Sequence, residues 1–217
     1  MDKGPNLNHN SLSHGTAVNL IQNHIESEYV VAVDADVAVV YPGWDEVIVN
    51  ELNNYDCFGG DYEHVSKYLG FPTVYLFSFR RHILNKVRLD FRPKITEGKE
   101  SPYRYTIKDA KEAKHFGKKV GDMIKCDTGW RLPLIIKGAG FSSKSMPMIL
   151  MTNENSQLPF EDAKHKKLCM KKPSHMHEWH YNGRLFATHK QACRNHPLNT
   201  GWGEAWKKRI ELYIKEK

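Results

Sequence analysis

An α/β fold with a mixed, mainly parallel sheet flanked by helices is predicted for this chain of 217 residues. Short β-branched apolar runs alternate with segments of helical periodicity, the pattern that builds a sheet with helices on its faces. The length suits one sizeable domain, and neither a repeat nor a low-complexity linker divides residues 1–217. Hydrophobic residues make up 40% and charged residues 26%, an ordinary balance for a chain that buries a core, which excludes disorder as the default. No apolar run reaches the roughly 18–20 residues of a membrane span. The start, Met1-Asp2-Lys3-Gly4-Pro5, lacks the basic and apolar regions of a signal peptide, so a cytoplasmic setting is expected. Four scattered cysteines (Cys57, Cys126, Cys169, Cys193) form no closely spaced pair, which favours reduced thiols over a disulfide framework.

The elements follow in order. Asn10–Asn23 reads as a loop entering a helix, with Ser13 as its N-cap and Ala17, Leu20, Ile21 and Ile25 at helical spacing. Tyr29–Val33 is an apolar, β-branched run and reads as a buried strand of a parallel sheet. Pro42-Gly43 marks a turn, after which Trp44, Val47, Ile48 and Leu52 set a helix. Asp56–Gly60 and Thr73–Phe79 read as strands, and the polar, basic stretch Arg92–Lys119 as a loop with one exposed helix. Asp127–Lys137 is expected to be helical, with Pro133 confined to its first turn. Ser142–Met151 reads as a strand pair, and Trp202–Ile214 as a helix with Trp206, Ile210 and Tyr213 on one side. Residues 165–217 combine a histidine-rich segment with that terminal helix.

The first strand runs directly into Asp34-Ala35-Asp36. In open α/β sheets ligands collect beyond the carboxyl ends of strands. Two acids one residue apart can reach one hard cation, and Mg²⁺ and Mn²⁺ favour such oxygens and share them with substrate phosphates. A D-x-D tripeptide is common, and by itself it also describes two solvated acids in a turn.

The surrounding block carries more. Asn6–Ser11, Gly15-Thr16-Ala17-Val18-Asn19-Leu20-Ile21 and Glu28-Tyr29-Val30-Val31-Ala32-Val33-Asp34-Ala35-Asp36 stand in one order. This block resembles the family 2-type, GT-A-fold glycosyltransferases, in which a helix asparagine and a hydrophobic strand lead into the D-x-D of the nucleotide-diphosphate site. The resemblance implies a GT-A-like fold and a metal-dependent, inverting transfer of a sugar from a nucleotide-diphosphate donor to an acceptor hydroxyl of a saccharide, lipid or protein. It places Asn19, Asp34 and Asp36 on the donor, with Asp36 and Asp34 on Mn²⁺ or Mg²⁺. Phe58-Gly59-Gly60-Asp61 and Tyr75–Arg81 are similar to the family's central segment, so Gly60 and Asp61 fall in the sugar and acceptor region, with Trp130 as a ring that could stack there. Asp127 stands where relatives place the acid that removes the acceptor proton, although it follows Cys126 rather than a second acid. An acid there also suits a helix N-cap. The segment Phe186–Arg194 resembles one that supplies a late histidine ligand and a phosphate-binding arginine, which implies His189 for the metal, with His180 as the alternative, and Arg194 for the donor.

The resemblance also implies a strand–helix–strand unit upstream that binds the nucleotide base. Only 33 residues precede Asp34, and none forms such an apolar strand. A shortened GT-A-like domain with an open sheet edge and weak donor binding of its own is therefore expected.

Other readings compete. Cys169, His175 or His177, Cys193 and His196 could form a structural zinc site, though their spacing fits no common finger. A formal charge of +7 favours anionic partners, and a basic His/Cys protein that binds metal and nucleic acid is the main alternative. That alternative leaves the ordered block from Asn19 to Asp36 unexplained, so no nucleic-acid partner is expected. A non-catalytic remnant of the fold is the third possibility.

Overall fold

Residues 10–62, 70–94, 104–150, 155–169, 176–190 and 202–216 are described by the structure, a computed structural model. Their α/β arrangement is built on two four-stranded sheets. The first contains β1 (Tyr29–Val33), β4 (Leu76–Arg80), β3 (Cys57–Gly60) and β7 (Ser143–Met146), in that spatial order. The second contains β2 (Val37–Val39), β10 (Arg184–Lys190), β9 (Met176–Tyr181) and β8 (Met148–Leu150). A small hairpin-like pair joins β5 (Arg104–Thr106) and β6 (Met123–Lys125).

The expectation of a mainly parallel sheet is corrected. Among the described residues only β3 with β7 pairs in parallel, and every other pairing is antiparallel. The run Tyr29–Val33 is likewise not a buried central strand: β1 lies at the edge of its sheet, half-buried, with Val33 exposed. A short apolar run states that a strand is apolar, and it does not state its neighbours or their direction.

Alternation along β4 explains how the first sheet is covered on both faces. Phe77 and Phe79 pack with Phe91, Leu132 and Ile136 on one side, whereas Leu76 packs with Phe58, Trp179 and Phe186 on the other. Each fully buried aromatic of this kind stabilises the fold by roughly 1.5–3 kcal/mol. Helix α2 (Trp44–Asn54) closes the second side with Ile48 and Leu52, as its periodicity predicts.

The chain passes directly from the first sheet to the second at two places. The chain leaves β1, turns through Asp34–Asp36 and enters β2 of the other sheet, and Pro147 separates β7 from β8 in the same manner. Asp61 fastens the second crossing. Its carboxylate accepts from the Met148 amide at 2.9 Å and the Ser145 hydroxyl at 3.2 Å, and its carbonyl accepts from the Trp179 indole at 2.8 Å. That indole packs against Gly60, where a Cβ would stand only 2.4–2.6 Å from its ring atoms.

Helix α1 (Asn10–Ile21) begins earlier than its apolar spacing suggests, and Leu20 and Ile21 are exposed. Its inward face is instead Gly15, Val18 and Asn19. A Cβ at Gly15 would stand 2.6 Å from the Phe91 carbonyl oxygen, so glycine is what permits the approach. Helix α4 (Leu132–Gly138) starts five residues after Asp127, with Pro133 in its first turn, and Asp127 does not cap it. The stretch read as a loop with one exposed helix contains α3 (Ala110–Phe116), whose Ala113 and Phe116 are buried beneath β5 and β6. Helix α5 (Ala163–Cys169) packs on α6 (Trp202–Lys215), and Arg209 of α6 is buried against the Pro159 and Leu158 carbonyls. Among the described residues no helix is long and apolar enough to cross a membrane.

Gly60→Ala should lower unfolding stability by about 1–3 kcal/mol, the usual effect of overpacking a filled core. Urea denaturation followed by tryptophan fluorescence measures it, and an unchanged midpoint would contradict the packing of Trp179 on Gly60.

Candidate functional site

The site is a corner between the two sheets, and backbone hydrogen bonds fix it before any side chain is considered. The Asp34 amide donates to the Tyr75 carbonyl at 3.0 Å, the Val37 amide to the Asp34 carbonyl at 3.0 Å, and the Lys190 amide to the Asp36 carbonyl at 2.9 Å. The D-A-D segment is thereby tied to the residue that leads into β4 and to β10 at once, which an isolated surface turn would not be.

Three acids meet there. Burial raises the Asp34 carboxyl to about 7, and the nearby charges of Asp36 and Asp127 push in the same direction. His14 of α1 places Nε2 3.4 Å from Asp34 Oδ1, and His189 of β10 places Nε2 3.3 Å from Asp36 Oδ1. Asp127 accepts from the Thr128 amide at 2.8 Å through Oδ1, and Lys125 Nζ stands 3.7 Å from Oδ2. Asp34, Asp36, Asp127 and His189, far apart in the sequence, are thus gathered at one corner.

The His189 ring is held between two aromatic planes. Tyr75 stacks on it at a centroid distance of 4.3 Å, and Trp179 lies at 6.0 Å, 17° from coplanar. Its Nδ1 is 3.3 Å from Nδ1 of His177, which is also buried and meets the edge of Tyr62 at 4.9 Å. The Tyr75 phenol is pushed well above its ordinary value by burial and by the charges of Asp127, Tyr62, Asp34 and Asp36.

The β9–β10 hairpin sets this geometry. Asn182 and Gly183 both take positive φ, 48° and 75°, as a tight hairpin turn of this twist requires. A register shift between Leu185 and Ala187 then brings His189 opposite His177. Without that bulge His177 would face Thr188.

Asn19 accepts from the Phe91 amide at 2.9 Å and donates to Asp90 at 3.0 Å, so its amide clamps α1 to the 89–92 segment. Gly60 and Asp61 join the sheets as described above, and Trp130 is buried in the small core with Tyr105 and Phe116. His180 lies beside Glu178 at 3.0 Å on the side of the second sheet that faces α6. Burial alone would raise the Glu178 carboxyl, but hydrogen bonds from His180, Ser156 and the Gln157 amide and the charge of Arg209 hold it below the usual carboxylate range. Arg194, His175, Cys193 and His196 lie outside the described residues, as does the side chain of Cys169.

In the sequence His177 stands only among the candidate zinc ligands, and neither His14 nor Tyr75 is marked for this corner. The Asn182-Gly183 pair between two alternating runs was a hairpin signal that could have found His177 opposite the segment carrying His189. Nothing local marks His14 or Tyr75.

A cavity of about 270 Å³ opens beside the corner, between α1 and β1. Its walls are mainly apolar, from Val18, Ile21, Val30 and Phe79, and His14, Gln22 and Asp34 supply its polar groups. The donor set suits a hard cation, since mutually repelling carboxylates gain from a positive charge and oxygen ligands suit Mg²⁺ or Mn²⁺. Among the described residues no group of three or more His, Cys, Asp or Glu side chains is arranged to hold a metal ion by itself. A cation here would draw its other ligands from phosphate and water, the usual habit of Mg²⁺. Comparison with protein-family models, with curated proteins and with solved structures finds no match.

The folded Asp34 carboxyl binds its proton up to about pH 7, whereas an unfolded one releases it near 3.8. Its contribution to stability is therefore full below about pH 4 and is lost as pH rises towards 7. Asp34→Asn should match the wild type at pH 4 and exceed it at pH 8, by on the order of a few kcal/mol. Urea midpoints at the two pH values measure this, and equal differences at both would contradict the buried acid cluster.

Proposed function

We propose that this chain is a metal-dependent glycosyltransferase that moves a sugar from a nucleotide-diphosphate donor to an acceptor hydroxyl. The observation that carries the reading is the meeting of Asp34, Asp36, Asp127 and His189 at one corner, with Asp34 feeling the charges of both other acids. In this reading Asp36, Asp34 and His189 would hold Mn²⁺ or Mg²⁺ together with the donor diphosphate. The cation supplies positive charge that stabilises the leaving diphosphate as the bond to C1 of the sugar breaks.

The chain's own residues account for the rest. Asp127 takes the acceptor hydroxyl proton as that oxygen bonds to C1, giving inversion at the sugar. Lys125 and the Thr128 amide hold the Asp127 carboxylate in place. The stacked Tyr75 and Trp179 keep His189 from rotating away from Asp36. The apolar cavity beside Asp34 offers a surface for the donor next to the phosphates, and Arg194 is a further candidate for a phosphate contact. Asn19 serves the donor indirectly, by fixing the helix that carries His14.

Nucleotide-sugar hydrolysis in Mn²⁺ tests the reading, with the chain compared against Asp36→Ala and Asp127→Asn. Turnover should fall by about 10²–10³ in Asp36→Ala, in line with loss of a charge-stabilising group, and transfer to an acceptor by about 10²–10⁴ in Asp127→Asn. Turnover that survives Asp36→Ala would overturn it. Salt-sensitive binding of DNA or RNA, untouched by Asp36→Ala, would point to the nucleic-acid alternative instead.

A further inference from the structure

The buried pair His177–His189 has no place in the proposed chemistry beyond His189 itself. Both rings are almost wholly excluded from solvent, at 1% exposure each, and their Nδ1 atoms lie 3.3 Å apart. A hydrogen bond between two Nδ1 atoms needs a proton on one and a lone pair on the other. The other nitrogen of His189, Nε2, faces Asp36 Oδ1 at 3.3 Å. The state of one ring therefore constrains the other. If His189 gives the Nε2 lone pair to a cation, its proton must sit on Nδ1, and His177 must then accept through Nδ1.

We infer that His177 is a positioning residue for cation binding, holding His189 in the orientation that presents Nε2 beside Asp36 and accepting from its Nδ1–H once Nε2 gives its lone pair to a cation. The inference rests on the reading of Asp36 and His189 as cation ligands. Ligating histidines regularly donate their second ring N–H to a fixed partner, and that partner decides which nitrogen is presented. Here the partner is supplied by the adjacent strand, and three features of the fold hold it there. The bulge in β10 aligns His189 with His177, the Thr188 hydroxyl donates to the His177 carbonyl at 3.0 Å, and Tyr62 meets the His177 ring edge-on. Neither ring can turn without displacing Tyr75, Trp179 or Tyr62.

Two measurements test this. In the cation-free full chain carrying ¹⁵N-histidine, NMR should detect a scalar coupling across the Nδ1–H···Nδ1 bond between the two rings. Its absence, with both rings assigned, would overturn the inference whatever the chain binds. Calorimetric titration with Mn²⁺ in the presence of a nucleoside diphosphate supplies the functional readout. His177→Phe keeps the ring and removes both nitrogens, and should weaken the Mn²⁺ dissociation constant by about 10–100-fold. His177→Asn restores an amide near the position of Nδ1 and should stay within about threefold of the wild type, since it can still accept from His189. A His177→Phe chain that binds Mn²⁺ as the wild type does would overturn the inference alone. A wild type that takes up no Mn²⁺ would contradict the proposed function, and the inference with it.

Discussion

The crossing of the chain from one sheet to the other at Asp34–Asp36 is the constraint on which the rest of this structure depends. β1 ends in an antiparallel pairing with β4, and β2 begins in an antiparallel pairing with β10. The three residues between them must turn, and their backbone groups are satisfied by Tyr75, by the turn itself and by Lys190. Two acids are therefore held by backbone geometry, with little freedom to relax apart. Aspartates on a free loop would separate and solvate, whereas here burial, reinforced by the charges of Asp36 and Asp127, lets Asp34 keep its proton up to about pH 7. The fold stores unfavourable electrostatics at one corner, a common feature of sites that await a charged ligand.

Packing turns that corner into a shaped site. The second sheet delivers His189 with its ring clasped between Tyr75 and Trp179, while Trp179 itself rests on Gly60 and hydrogen-bonds the Asp61 carbonyl. Gly60, Asp61, Trp179 and His189 form one chain of contacts that reaches from β3 to the acids. Asn19 and Gly15 act in the same way from the opposite side, bringing α1, and with it His14, against the 89–92 segment.

The apolar runs and helical spacings foretold β1, α2, β3 and α6 because each follows from local burial. Sheet order and direction were not legible, since they depend on which elements pair across long separations, and a run such as Tyr29–Val33 reads alike at an edge or a centre. The second sheet was overlooked almost entirely. Its strands β9 and β10 carry charged and histidine side chains that drew attention to metal chemistry, although Asn182-Gly183 announced the hairpin. At the site, the D-x-D corner was visible from sequence order. The contributions of Tyr75, His14 and His177 were not, because each comes from tertiary placement, and the His177–His189 register depends on a bulge that no local pattern encodes. The sugar-facing position expected for Trp130 rested on its aromatic character alone, and the structure places it in a small core with Tyr105.

Anomalous diffraction at the manganese edge is the most direct measurement, made on crystals of the chain grown with Mn²⁺ and a nucleoside diphosphate. One peak is expected at the sheet crossing, about 2.0–2.3 Å from an Asp36 oxygen and bridging to a phosphate oxygen, the bond lengths of a hard cation of this class. A manganese ion bound elsewhere with the corner unchanged, or a diphosphate bound far from Asp34–Asp36, would contradict it.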